Sequence, residues 1–267
     1  MDKLQGVADT LFIPLAARIY VSKRFPTYFY DERALSLEGA LPNDGILRAS
    51  SEYSCMASAA RSYNLDAMTR AFLAAHGRGN VIYLGAGLET AYFRLGQQAA
   101  RFYEVDLPPV IAGRRALLGE QPNEVLIAGD LFDLAWARQV DQSLPSLLIV
   151  SGVFQYFHRE EILPFLHALG QVFPGGELIF DATNETGIKY ASRYVRKTGN
   201  ASAPMYFFVN SGADFARESG LTLLEQRPFF TDARRLLSRQ LGLYTRIAMR
   251  VVDGDGRAIL LRLRLGQ

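Results

Sequence analysis

Seven short runs of strand-forming residues alternate with helical patterns along the chain, and this alternation restricts the fold more than any other feature. It is typical of a parallel sheet that carries helices on both faces. The sequence therefore predicts an α/β fold with a doubly wound, mostly parallel, seven-stranded sheet. The predicted strands cover residues 80–85, 101–106, 124–128, 146–151, 177–182, 221–227 and 257–265.

A glycine-rich turn follows the first predicted strand, in the stretch "VIYLGAGLET". Gly85 and Gly87 let the backbone turn sharply and approach a ligand closely, as nucleotide-binding loops do. A dinucleotide-binding loop also needs a third glycine, but Thr90 stands at that position. The difference argues against NAD, and a simple tight turn is the structural alternative.

An acidic residue ends the second predicted strand, "RFYEVD". Asp106 is therefore placed at the carboxyl edge of the sheet, where open α/β sheets bind their ligands. A carboxylate there suits the two hydroxyls of a ribose. The same pair of features, a glycine-rich loop and an acid, serves S-adenosylmethionine in Rossmann-like methyltransferases.

Arg61 lies on the apolar stripe of the helical pattern before the first strand, one turn before Leu65. An arginine that faces a core needs an anion. That anion is either the carboxylate of an amino-acid-bearing cofactor or a protein carboxylate at Asp66, Glu89 or Asp106. Exposure to solvent at the start of the helix is the third alternative.

Composition excludes several classes of protein. A hydrophobic content of 49% is enough for one full core, so we expect a single domain. The net charge of +2 is too small for a nucleic-acid partner. The single cysteine, Cys55, excludes an internal disulfide and a cysteine-rich zinc site, and no metal-ligand spacing occurs. No apolar run suits a membrane span, so we expect a cytoplasmic protein; the oligomeric state is not indicated.

Two segments interrupt the alternation of strands and helices. Residues 1–57 precede the sheet and contain a helical stretch that we expect to be interrupted at Pro14. Residues 184–213 are too long for an ordinary loop and are rich in tyrosine and basic residues. The predicted single domain of residues 1–267 thus consists of an N-terminal helical cap (1–57), a cofactor-binding core (58–183), an inserted lid (184–213) and the completion of the sheet (214–267).

Five stretches carry a resemblance to the leucine carboxyl methyltransferase family. That family includes phosphatase carboxyl methyltransferases and bacterial O-methyltransferases of polyketide pathways, such as the tetracenomycin type. The opening "DTLFIPLAARIYVSKRFPTYFYDERAL" resembles the bacterial branch, so the resemblance covers most of the chain. The five stretches, which occur in the order and spacing of the family, are "ARSYNLDAMTRAFL", "VIYLGAGLETAYFRL", "FYEVDLPPVIAGRRALL", "AGDLFD" and "LLIVSGVFQYF".

The resemblance implies a Rossmann-like fold, S-adenosylmethionine as the cofactor, and residues that bind it. Arg61 matches the arginine that holds the cofactor carboxylate, Gly85 matches the first loop glycine, and Asp106 matches the ribose-binding acid. Asp130 and Leu131 match the pair that reads the adenine. From its local context alone, Asp130 is more typical of a helix N-cap.

The resemblance also concerns the end of the fourth strand. Ser151 stands where the phosphatase branch has an acid, so a contact with the cofactor is weakened or replaced. Tyr156 matches a tyrosine near the acceptor pocket, although an aromatic residue in such a run is also typical of a core. His158 is a candidate general base, and "FHREE" is equally an ordinary helix start with a solvated histidine.

The methyl acceptor is expected to contact the inserted segment. Lys189, Tyr190 and Tyr206 could hold an acidic or aromatic acceptor, and a solvated basic helix is the alternative. A carboxylate needs no general base at neutral pH, whereas a phenol with a pKa near 10 usually benefits from one. The basic stretch "IKYASRYVRK" and the family's carboxyl chemistry favour a carboxylate acceptor.

The predicted function is therefore that of an S-adenosylmethionine-dependent O-methyltransferase. The methyl group would go to a carboxylate or hydroxyl of a small metabolite, for example a secondary metabolite of polyketide type. The alternatives are a protein C-terminal carboxyl methyltransferase and a non-catalytic cofactor-binding partner in a biosynthetic complex.

Overall fold

The computed structural model describes residues 9–41, 45–96, 100–200 and 202–266, and its centre is one sheet. The strands are β1 (Gly79–Leu84), β2 (Ala100–Asp106), β3 (Glu124–Ala128), β4 (Ser146–Val150), β5 (Glu177–Thr183), β6 (Thr222–Pro228) and β7 (Ala258–Arg264). Their order across the sheet is β3–β2–β1–β4–β5–β7–β6. β7 pairs antiparallel with β5 and β6, and the remaining neighbours pair in parallel. The predicted α/β sheet is confirmed, with strand ends shifted by one residue at most.

The two central strands, β1 and β4, are buried at every position. Their sequences, "GNVIYL" and "SLLIV", are almost continuously apolar, as strands covered on both faces must be. The strand order reverses between β1 and β4, and ligands of open α/β sheets bind outside the carboxyl ends of the strands at such a reversal.

Helices cover both faces of the sheet. One apolar cluster contains Phe72, Tyr83 and Phe230, and a second cluster contains Trp136 and Phe180. The α-helices of the described residues are α1 (Phe12–Arg24), α2 (Glu32–Ser36), α3 (Gly45–Ala49), α4 (Glu52–His76), α5 (Ala91–Leu95), α6 (Pro108–Leu118), α7 (Arg159–Val172), α8 (Glu185–Lys197), α9 (Gly212–Ser219), α10 (Thr231–Leu236) and α11 (Leu243–Gly254). Short 3₁₀ turns cover Asp9–Leu11, Glu38–Ala40, Leu134–Gln139 and Phe154–Tyr156.

The first helix, α1, is continuous, so the predicted interruption at Pro14 is wrong. The helix begins at Phe12, which places Pro14 in the first turn. A proline is tolerated there because the first backbone N–H groups of a helix have no partner within it. Leu15 and Ile19 of this helix pack with Leu88 in one apolar cluster, and α1 therefore lies against the loop that follows β1.

The N-terminal segment also contacts the predicted lid. Ile13 and Ala16 of α1 share an apolar cluster with Val195 of α8 and with Ala203. The division of the chain into cap, core, lid and completion stays a prediction. Within the described ranges, no helix has the length and apolar character needed to cross a membrane.

Candidate functional site

A cavity of about 890 Å³ opens at the carboxyl edge of the sheet. Residues that follow or end four neighbouring strands contribute to its wall. These are Gly85 after β1, Asp106 at the end of β2, Ser151 after β4 and Asp181 near the end of β5. The sheet topology therefore brings together residues that are far apart in the sequence.

The glycine-rich loop after β1 is held close to the neighbouring strand. The backbone N–H groups of Gly85 and Ala86 both donate to the carbonyl of Val105, at 2.9 and 3.1 Å. Gly85 has a φ of +73°, and a Cβ atom at that position would lie 2.5 Å from Cγ2 of Val153. Gly87 also has a positive φ, of +50°. The loop needs glycine at position 85 for its backbone angle and for the space around it.

Asp106 is fixed by backbone donors on both carboxylate oxygens. Gly87 N donates to Oδ2 and Leu107 N donates to Oδ1, each at 2.7 Å. Burial raises the pKa of Asp106, and these two hydrogen bonds lower it in part. A carboxylate with a fixed orientation beside a glycine-rich loop can accept hydrogen bonds from two adjacent hydroxyls.

Asp130 and Leu131 follow β3 and both line the cavity. Asp130 Oδ1 accepts a hydrogen bond from Phe132 N at 2.9 Å, so its side chain closes a tight turn. The helix N-cap that local context favours at Asp130 is found at Asp133, whose side chain caps the next 3₁₀ turn. The carbonyl of Leu131 accepts the indole N–H of Trp136 at 3.0 Å.

Arg61 projects from α4 into the cavity wall, where its Nη1 lies 3.0 Å from Oδ2 of Asp181. The three protein carboxylates considered from the sequence are therefore wrong as partners of Arg61. Two of them, Asp66 and Glu89, form ion pairs with Arg94 instead. The remaining one, Asp106, is held by the backbone amides described above.

Ser151 and Tyr156 line the cavity on the side of β4. Burial raises the pKa of Tyr156, although side-chain hydrogen bonds with Thr10 and Gln155 lower it in part. The phenol of Tyr156 is therefore protonated at neutral pH and can donate a hydrogen bond. Such a group can orient an acceptor but cannot take its proton.

His158 is an exposed residue of the cavity wall and precedes α7. Its ring stacks on that of Tyr206, with centroids 4.0 Å apart. Its backbone N–H donates to Oε2 of Glu161 at 2.8 Å, so the residue also begins a helix. The helix start expected at this histidine is therefore present, and its role as a general base stays a prediction.

The three candidate acceptor residues divide into two groups. Tyr190 and Tyr206 line the cavity and are 58% and 41% exposed. The side chain of Lys189 is 70% exposed and forms an ion pair with Glu185 at 3.0 Å. The structure does not bring Lys189 to the described cavity wall, because the basic face of α8 points to solvent.

Sequence reasoning missed several residues of the cavity wall. Asp181 carried only a weak signal, as one of two acidic residues in the otherwise largely apolar stretch "ELIFDAT" of β5. Tyr244, Ile247 and Val251 of α11 also line the cavity, and all three side chains are exposed. Nothing in their local pattern indicates a site, because only the tertiary fold brings α11 to this edge.

Glu89 is a buried carboxylate of the cavity wall that sequence reasoning treated only as a partner for Arg61. Burial acts to raise its pKa, but the charges of Arg94 and Arg18 lower the pKa of Glu89 to about 2. Glu89 is therefore ionised, and it forms ion pairs with Arg18 and Arg94. In the part of the chain that the structure describes, no group of three or more His, Cys, Asp or Glu side chains is arranged to hold a metal ion.

The matching family and the similar curated protein are both described as methyltransferases. The profile of the family described as leucine carboxyl methyltransferase matches residues 14–169, more than half of the chain. The tetracenomycin polyketide synthesis O-methyltransferase TcmP from Streptomyces glaucescens is 26% identical over 240 residues, which cover 87% of this chain and 88% of that protein.

Solved structures show the same fold. A protein from Thermobifida fusca YX, provisionally assigned as a methyltransferase, superposes with a TM-score of 0.60 at 20% identity, covering 94% of each chain. A DUF574 family protein from Streptomyces avermitilis superposes with a TM-score of 0.59 at 17% identity, covering 93% of this chain and 96% of that one. At these identities, the similarity concerns the fold.

Proposed function

The chain belongs to the leucine carboxyl methyltransferase family, and we propose that it transfers the methyl group of S-adenosylmethionine to a hydroxyl oxygen of a small, largely apolar aromatic metabolite. One observation carries the proposal. The cavity at the carboxyl edge of the sheet combines a glycine-rich loop, a fixed carboxylate and an arginine–aspartate pair with a wall that is otherwise mainly apolar and aromatic.

The residues present fit the parts of S-adenosylmethionine. Asp106 would hold the ribose hydroxyls, Asp130 and Leu131 would contact the adenine, and Arg61 would pair with the carboxylate. The bound cofactor would supply a methyl group that is already activated. The protein then has to align the acceptor oxygen with that methyl group and to exclude water.

The charges around the cavity support a neutral acceptor. None of the four basic side chains of α8 belongs to the described cavity wall. The carboxylate acceptor expected from the sequence relied in part on those side chains, which do not belong to the wall, and we propose a hydroxyl instead. The three arginines of the wall each contact a carboxylate, in the pairs Arg18–Asp31, Arg61–Asp181 and Arg257–Asp255.

Aromatic side chains of the predicted lid support an aromatic acceptor. Tyr190, Tyr194 and Tyr206, all within residues 184–213, line the cavity together with Tyr244 of α11. Flat apolar rings contact such side chains favourably by stacking or edge-on packing. We therefore propose that residues 184–213 cover the acceptor. Within this arrangement Tyr156 orients the acceptor, and His158 accepts its proton.

The experiment that tests this function is methyl transfer. The protein is incubated with methyl-labelled S-adenosylmethionine and a cell extract, and the labelled product is identified by mass spectrometry. Asp106→Asn is the matched control, since the loss of the ribose contact should abolish transfer at the same cofactor concentration. A labelled small molecule that resists mild alkali supports the proposal. A labelled protein, an alkali-labile ester, or no transfer would contradict it.

A further inference from the structure

Asp181 places a carboxylate in the cavity directly beside Arg61. Its Oδ2 accepts a hydrogen bond from Arg61 Nη1 at 3.0 Å, and its Oδ1 accepts one from the backbone N–H of Gly152 at 2.5 Å. The side chain of Arg61 is 14% exposed and that of Asp181 is 11% exposed, and both residues line the cavity. An ion pair is thus built into the wall with part of each group accessible to a ligand.

The local backbone is shaped around this pair. Gly152 has a φ of +71°, and a Cβ atom there would lie 2.7 Å from Arg61 Nη1. The glycine therefore makes room for the guanidinium and at the same time donates its N–H to Asp181. Each oxygen of Asp181 has one protein donor, and a carboxylate can accept about four hydrogen bonds, so capacity is left for a ligand.

A side-by-side cation and anion match one chemical group in particular, the head of an α-amino acid. There, an ammonium and a carboxylate are attached to the same carbon atom. Ser151, directly after β4, lines the cavity but contributes no charge that could bind the ammonium. Asp181, on the next strand of the sheet, provides that charge.

We propose that Asp181 binds the α-ammonium group of S-adenosylmethionine while Arg61 binds its carboxylate. The proposal rests on the function proposed above and assigns Asp181 as a cofactor-binding residue. It differs from a purely structural role, in which Asp181 would only neutralise Arg61. The two roles predict different responses to a ligand that lacks the amino group.

The test compares two ligands by calorimetry, S-adenosylhomocysteine and its analogue in which hydrogen replaces the α-amino group. A charge-assisted hydrogen bond should make the wild type bind S-adenosylhomocysteine about 10- to 100-fold more tightly than the analogue. Asp181→Asn should bring the ratio of the two dissociation constants near one, mainly by weakening S-adenosylhomocysteine. Asp106→Asn, the matched control, should weaken both ligands and keep their ratio, because both carry the ribose.

Two results would overturn the assignment. The first is equal affinity of the wild type for both ligands, a comparison that requires no variant to fold. The second is a loss in Asp181→Asn that is the same for both ligands, which would make Asp181 structural. A wild type that binds neither ligand would instead contradict the proposed function itself, and the assignment with it.

Discussion

Gly85 occupies a position where both the backbone angle and the surrounding space require glycine. Its φ is +73°, and an added Cβ would lie 2.5 Å from Val153. Gly96 is a matched control, because its φ is +59° but nothing lies within 4 Å of its Cβ position. We expect Gly96→Ala to lower the free energy of unfolding by about 1–2 kcal/mol through backbone strain. Gly85→Ala should lower it by roughly 1–3 kcal/mol more, through steric overlap.

Chemical denaturation of the two glycine variants measures this difference. Equal losses at both positions would show that the contact with Val153 is relieved without cost. A larger loss at Gly85 would support a close approach of the loop to the segment after β4.

His158 is the cavity residue proposed to accept the proton of the acceptor hydroxyl. His158→Ala should lower turnover by roughly 10²–10⁴-fold, the usual contribution of a positioned base. The affinity for S-adenosylhomocysteine should not change. His167→Ala is the control, since His167 is exposed on α7 and is absent from the described cavity wall. The assay uses the acceptor identified from the labelled product, and a full rate in His158→Ala would exclude a role as base.

The presence of some site residues at the cavity could be predicted from local patterns. Gly85 and Asp106 end up there because a turn after one strand and an acid at the end of the next must meet at the carboxyl edge. Asp181 was missed because an acid inside an apolar strand has no fixed meaning until its neighbours are known. The direction of Lys189 was missed for the same reason, since helical spacing does not show which face meets the cavity.

At the scale of elements, a buried ion network joins the N-terminal segment to the loop after β1. Asp31 lies at its centre, 3.1 Å from Nε of Arg18 and 2.8 Å from Nη1 of Arg94. Asp31 also accepts a hydrogen bond from the hydroxyl of Thr90 at 2.5 Å, and Arg18 donates to the carbonyl of Leu88 at 2.6 Å. α1 is therefore connected to the proposed cofactor loop by charged hydrogen bonds as well as by apolar packing.

Removing the central charge of this network should be costly. Asp31→Asn leaves two buried arginines short of a counterion, and we expect a loss of about 3–5 kcal/mol in unfolding free energy. Glu38→Gln is the control from the same region, because the Lys23–Glu38 pair is 54% and 49% exposed. An exposed pair contributes less than about 1 kcal/mol. Urea denaturation compares the two, and a similar small loss in both would contradict the network's role.

A second buried ion cluster lies between β2, α6 and β3. Arg114 Nη2 lies 2.7 Å from Oε1 of Glu124 and 3.1 Å from Oε1 of Glu104, and all three side chains are fully buried. Burial raises the pKa of Glu104 to about 8, since the opposing effect of Arg114 is insufficient. Arg114 Nη1 also donates to the carbonyl of Glu89 at 2.6 Å, so the cluster supports the loop after β1.

The raised pKa of Glu104 determines how stability changes with pH. Between its ordinary pKa of 4.5 and the folded value of about 8, the folded protein keeps a proton that the unfolded chain releases. The free energy of unfolding should therefore fall as pH rises through this interval. The side chain of Glu104→Gln cannot ionise. The melting temperature of this variant minus that of the wild type should therefore increase from pH 5 to pH 8. A constant difference over that range would contradict the assignment.

Glu124→Gln is the control for this pH effect. Glu124 forms the shorter hydrogen-bonded ion pair with Arg114, at 2.7 Å. Loss of the Glu124 carboxylate should lower the melting temperature at pH 5 and at pH 8, because the buried guanidinium of Arg114 loses its shortest ion pair.

At the scale of the whole molecule, the sheet was predictable and the enclosure of the cavity was not. The alternation of strand and helix patterns is a local feature of the sequence. The seven strand patterns therefore predict the order of the elements along the chain. The enclosure depends on tertiary packing, which brings α1, α8 and α11 to one edge. The helix that contains Pro14 shows the same limit on a smaller scale. Whether a proline interrupts a helix depends on where the helix begins, and local sequence does not define that boundary well.

The central claim, that this cavity binds S-adenosylmethionine, is tested most directly by thermal unfolding with ligands. S-adenosylhomocysteine at a hundredfold excess over its Kd should stabilise the wild type by about 2.7 kcal/mol and raise its melting temperature. NAD and NADP should cause no shift, and Asp106→Asn should show none with S-adenosylhomocysteine at the same concentration. Stabilisation by NAD but not by S-adenosylhomocysteine would contradict the account, and so would a shift that Asp106→Asn leaves unchanged.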